Sequence, residues 1–141
     1  FIPKYKARKN LEKRILIEDI IKRTLQSGKG IADPSSLAEL TGHPVKKIEQ
    51  WCHRLVKLKL YQRVNGQYSL TELGKTKALQ LVRAHRLWET FLSEELGLDP
   101  DQLHTDAELA EHYLTDEDLH RLDERLGFPE IDPHGSPIPK G

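Results

Sequence analysis

Residues 33–74 read DPSSLAELTGHPVKKIEQWCHRLVKLKLYQRVNGQYSLTELG, and this stretch decides the fold. Asp33 or Ser35 can start a short helix, SSLAEL, that Thr41-Gly42 closes. Pro44 suits the first position of a second helix reaching about Leu58, with Val45, Ile48, Cys52, Leu55 and Leu58 at helical spacing on one face. Two short helices joined by a Gly-containing turn, the second one basic, form a helix-turn-helix pattern. Asn65-Gly66 between LYQRV and QYSL is the strongest short-range hairpin signal. A hairpin straight after a helix-turn-helix is a wing.

Upstream, Asn10 can cap a helix to about Gln26 that carries Leu11, Ile15, Ile17, Ile20, Ile21 and Leu25 and stops at Ser27-Gly28-Lys29-Gly30. Residues 1–9, FIPKYKARK, read as a basic lead-in or linker. Downstream, Thr71 caps a long helix from Glu72 to about Leu96 that contains Leu79, Val82, Leu87, Phe91 and Leu92. Helices at about 101–114 and 116–126 follow, each with an acidic first turn that suits the helix dipole. Residues 128–141 form a Pro-rich tail. The expected fold is mainly α: a winged helix-turn-helix domain over 10–71, then a helical domain over 72–127.

The chain of 141 residues has 22 Lys+Arg and 22 Asp+Glu, yet the charges are segregated. Residues 1–86 hold 19 basic and 7 acidic side chains, while residues 87–141 hold 3 and 15. A basic half suits a polyanion and an acidic half suits cations. The single Cys52 excludes a disulfide framework and a Cys-based zinc site. No apolar run is long enough to span a bilayer, and no signal peptide is visible. A chain without Met, beginning Phe1-Ile2-Pro3, reads as part of a longer protein.

In the basic half, Lys46, Lys47, Gln50, His53, Arg54 and Lys57 lie off the apolar face of the second helix-turn-helix helix, and Lys59 and Arg63 lead into the wing. Such a helix can enter the major groove of double-stranded DNA while the wing meets phosphates. Glu49 is the acid on this helix; it repels phosphate and can accept from a cytosine amino group. Trp51 and Cys52 read as core. A winged helix used only for protein contact is the competing reading.

In the acidic half, His85 and Glu89 are four apart, and His104, Glu108, Glu111 and His112 stand at i, i+4, i+7 and i+8 of the next helix. Antiparallel packing of the two helices would gather imidazoles and carboxylates without a thiolate, a donor set for six-coordinate Mn²⁺ or Fe²⁺. A hydrophilic helix face that happens to carry His is the plainer alternative. His120 and His134 have no partner pattern and read as surface residues. No spacing places a nucleophile beside a base and no Gly-rich phosphate loop exists, so a non-enzymatic function is expected.

LTELG at 70–74, VRAHRLWETFL at 82–92, LHTDAELAEHYL at 103–114 and PHGSPIP at 133–139, in this order, resemble the diphtheria toxin repressor / manganese transport regulator family. The resemblance implies a metal-dependent DNA-binding repressor of metal-uptake genes, cytoplasmic and homodimeric, with residues 72–127 as its metal-binding and dimerisation domain. It places His85, Glu89 and His104 at one metal site and Glu108, Glu111 and His112 at another, with Asp19 of the first helix as a further ligand. Iron-type members carry Cys where this chain has Glu108, so the extra carboxylate favours Mn²⁺. Lys22 stands where a manganese-type member has an acid, Glu49 stands where the family has a small polar residue, and no SH3-like domain follows. FIPKY, the basic stretch and RILIEDII also resemble the junction of a manganese/zinc ABC transporter permease fused to a repressor-like domain. The alternative function is therefore a metal-sensing regulatory domain at the cytoplasmic face of the membrane, with the permease in the same polypeptide.

Overall fold

The computed structural model describes residues 4–141 and contains α1 (Lys4–Gln26), α2 (Pro34–Thr41), α3 (Val45–Lys57), β1 (Tyr61–Val64), β2 (Gln67–Leu70), α4 (Glu72–Leu96), α5 (Pro100–Ala110) and α6 (Asp116–Arg125). One compact unit ends at Ala78 and the second is Leu79–Gly141, so the division falls within α4. No helix among the described residues is long and apolar enough to cross a membrane.

The first unit is a winged helix. Asp33 caps α2 by accepting from the backbone N–H groups of Ser35 and Ser36, and Gly42 ends it in the left-handed region at φ 74°. Ile48, Trp51, Cys52 and Leu55 form the buried face of α3, whereas Val45 and Leu58, expected there, are exposed at its two ends. The hairpin pairs Tyr61 with Leu70 and Val64 with Gln67, and Asn65 and Gly66 both have positive φ, as its tight turn requires. Ile20, Ile21, Leu37, Ile48, Leu55, Leu60, Tyr61 and Leu70 are buried in this unit. Thr24 gives its hydroxyl proton to the Ile20 carbonyl at 2.8 Å, so Tyr61 is the donor in the 2.5 Å bond to Thr24 Oγ1. Burial pushes the Tyr61 phenol well above its usual range, and it stays protonated as that donation requires.

The lead-in differs from expectation. Residues 1–3 lie outside the described residues, but α1 starts at Lys4, not at Asn10. No Gly or Pro interrupts the chain between Pro3 and Ser27, and Arg8 pairs with Glu12 across one turn at 3.5 Å. Those good helix formers carry the helix through Asn10, whose capping tendency loses.

In the second unit, Ala84 and Leu87 of α4 pack with Leu119 of α6 and Ile138, flanked by Leu114, Leu122 and Leu126. Leu79 is exposed, unlike Val82, Leu87 and Leu92. The Pro-rich tail is folded rather than trailing. Asp132 Oδ1 accepts from the backbone N–H groups of His134 and Ser136, Ile138 N donates to the Glu130 carbonyl, and Arg86 donates to the Pro137 carbonyl. Helix α6 starts in a reciprocal capping box between Thr115 and Asp118.

Gly74 closes the wing onto α4. Its N–H donates to Thr71 Oγ1, and a Cβ there would lie 2.2 Å from the Leu60 carbonyl oxygen and 3.0 Å from Leu70 Cδ2. Gly74→Ala is therefore expected to destabilise the chain by about 2–4 kcal/mol, through overpacking against backbone. Urea unfolding checks this, and a loss under about 0.5 kcal/mol would contradict the packing.

Candidate metal centre and nucleic-acid face

Helix α4 brings His85 and Glu89 to one side, both buried, with His85 Nε2 2.8 Å from Glu89 Oε1. The other ring nitrogen, Nδ1, lies 2.9 Å from Glu111 Oε1. His104 on α5 sets its ring 4.9 Å from that of His85 and pairs its Nε2 with Glu108 Oε1 at 3.0 Å. His85, Glu89 and His104 each offer one ligand atom within 4.8 Å of the others.

An ionised carboxylate only accepts, so His85 can donate to Glu89 and Glu111 together only as imidazolium. A cation facing Nε2 would remove that demand. The neutral ring would keep its Nδ1–H on Glu111 and turn its lone pair, with Glu89 Oε1, to the cation, as metal-ligating histidines do beside a carboxylate. The residues present thus fit a divalent ion through nitrogen and oxygen donors. Cys52 lies in the other unit, and burial pushes its thiol up to about 11, so it is inert.

Glu111 and His112 are both buried. Helix α5 ends at Ala110 and the two follow in a turn, in which Glu111 keeps helical dihedrals, φ −55° and ψ −29°, and its N–H donates to the Ala107 carbonyl at 3.0 Å. Thr115, extended at φ −83° and ψ 167°, then opens the next helix. Asp19 sits half-buried on α1 of the first unit, where Glu18 and Lys22 are buried.

Sequence reading missed two residues. Asp132 is buried and His134 is near Glu89, with Nδ1 3.2 Å from the buried Oε2 of that carboxylate. Glu89, Asp132 and His134 also offer ligand atoms within 4.8 Å of one another. Glu89 therefore faces two donor groups, one oxygen to each. His134 is 45 positions away in a segment without periodicity; the Asp132-Pro133-His134-Gly135 turn was the available signal.

On the first unit, Lys46, Lys47, Gln50, His53, Arg54 and Lys57 are all exposed on α3 and Arg63 is exposed on β1. At 100° per residue, Lys46, Gln50, His53 and Lys57 form one line opposite the buried face. Arg54 lies over the Trp51 ring at 4.9 Å and Arg63 over Tyr68 at 4.5 Å, so two guanidiniums are held by aromatic faces. Glu49 is off that central line and lines a cavity of about 640 Å³ with Asp33, Arg63 and Tyr68.

A winged helix with a cationic helix, followed by a helical unit whose His and carboxylate side chains meet at a buried glutamate, defines the class. Residues 71–140 match the family described as "Iron dependent repressor, metal binding and dimerisation domain". It is 47% identical over 74 residues to a "Probable metal transport system membrane protein" of Chlamydia trachomatis, covering 52% of this chain and 16% of that one. It is 39% identical over 70 residues to the diphtheria toxin repressor of Corynebacterium diphtheriae, covering 50% and 31%. A solved manganese-dependent transcriptional repressor in complex with manganese superposes with a TM-score of 0.79 at 37% identity, over 89% of this chain and 59% of that one. The chain spans less than a third of the length of either curated relative.

Because Glu89 belongs to both donor groups, Glu89→Ala is expected to reduce the Mn²⁺ bound per chain more than His134→Ala, by equilibrium dialysis. Equal losses would separate Glu89 from one of the two groups.

Proposed function

We propose that the chain is a Mn²⁺- or Fe²⁺-dependent DNA-binding repressor of metal-uptake genes that acts in the cytoplasm as a homodimer. The observation that carries this is the gathering of His85, His104, Asp132 and His134 around a buried Glu89, in a chain that also holds a winged helix with a cationic α3. Glu108, Glu111 and His112 supply the second donor set, and Asp19 keeps the ligand role that the family resemblance gives it. Oxygen-rich donors with no thiolate favour Mn²⁺. The ion's positive charge offsets the burial of carboxylate, so the arrangement of helices that completes its donor set is the one it stabilises. In a two-fold dimer, two α3 helices then meet successive major grooves. Lys46, Gln50, His53 and Lys57 face the bases, and Arg54, Lys47 and Arg63 meet phosphates.

The similarity to the chlamydial membrane protein favours a second reading, a metal-sensing domain that regulates transport. In it, these residues are not the membrane-crossing part, since no described helix is long and apolar enough.

Fluorescence anisotropy of a labelled duplex carrying a candidate operator separates the two. Repression predicts that chelating Mn²⁺ raises the dissociation constant at least about tenfold, or about 1.4 kcal/mol. Metal uptake with no metal-dependent change in duplex affinity would contradict repression and support the transport reading.

A further inference from the structure

The first turns of α1 project a cationic surface that neither the winged helix nor the donor groups use. Residues 4–14 hold six cations, Lys4, Lys6, Arg8, Lys9, Lys13 and Arg14, against the single acid Glu12, and all seven are exposed. Within the helix, Arg8 pairs with Glu12 at 3.5 Å and Arg14 with Glu18 at 2.8 Å. At 100° per residue, Lys6, Lys9 and Lys13 fall within an arc of about 60°, and Lys4 and Arg8 lie on the roughly opposite side. Like charges this dense destabilise an isolated helix, so their retention on an ordered, exposed segment calls for a polyanion.

The distribution selects the kind of polyanion. A bilayer surface touches one side of a helix lying on it, and such helices carry an apolar face opposite their cations. Between residues 6 and 14, Leu11 is the one large apolar side chain, and the cations stand on two sides. A helix with its side chains is about 10–12 Å across, close to the width of about 12 Å of the DNA major groove, which has a phosphate row on each edge.

We infer that the N-terminal turns of α1 are a second DNA-contacting element, Lys6, Lys9 and Lys13 meeting one phosphate strand and Lys4 and Arg8 the other. This rests on the DNA-binding reading above and extends it to a sequence-independent contact. Each phosphate neutralised by a protein cation adds about 0.9 to the slope of log affinity against log salt on duplex DNA.

The test measures that slope for the full chain on a random-sequence duplex at low salt, where neither operator nor metal is needed. Two variants are compared with the wild type: Lys6→Gln/Lys9→Gln/Lys13→Gln, and Lys4→Gln/Arg8→Gln. All five positions are exposed, and circular dichroism verifies the helix. The first variant is expected to lower the slope by about 2–3 and the second by about 1–2. A wild-type chain that binds duplex with a slope neither variant changes overturns this inference and leaves the repressor reading standing. A wild-type chain that binds no duplex at any salt overturns both. Co-sedimentation with vesicles of phosphatidylglycerol and phosphatidylcholine completes the set. Loss of vesicle binding in the variants, with duplex slopes unchanged, assigns the surface to a membrane and overturns the inference.

Discussion

His85 is buried between two carboxylates, 2.8 Å from Glu89 and 2.9 Å from Glu111, and the second unit is organised around that contact. It ties α4 to the turn after α5, and through Glu89 it reaches His134 of the C-terminal segment. Two carboxylates facing one imidazole make a centre whose protons and charge are hard to balance without a cation. A carboxylate on one ring nitrogen is how a protein fixes the orientation of a ligating histidine, and Glu111 stands in that position toward Nδ1 of His85. A single contact thus accounts for the burial of polar side chains and for the chemistry they can perform.

The two units do different kinds of work with the same economy of local signals. In the first, a capped α2, an apolar face on α3 and a two-residue turn with positive φ build a winged helix whose solvent side is cationic. In the second, burial takes His85, Glu89, Glu111, His112 and Asp132 inside, while most of its other acids, among them Glu94, Glu95, Asp101, Asp106 and Glu117, stay on the surface.

Much of this was legible in the sequence because it rests on local rules. Asp33, Thr71 and Asn65-Gly66 act through bonds and dihedrals within a few residues, and each does what its neighbours imply. The pairing of His85 with Glu89 follows from one helical turn. What failed was extrapolation of a pattern past its physical limit. Periodicity extends α5 to residue 114, whereas the helix ends at Ala110 and a turn leads to Thr115, which opens the next helix. Asn10 is a good cap in isolation, yet it lies within an unbroken run of helix formers. Asp132 and His134 were invisible to spacing because their meeting with Glu89 is made by tertiary folding of a Pro-rich segment. Only a turn motif marked it.

Whether the Glu89 centre takes a divalent cation is decided by titrating the purified full chain with Mn²⁺ at neutral pH while following free Mn²⁺ by electron paramagnetic resonance. A cation site keeps the free-ion signal suppressed until at least one ion per chain is taken up, with micromolar affinity. A signal that rises from the first addition as it does in buffer alone would exclude such a site, and would leave His85, Glu89 and Glu111 as a structural network holding the helices together.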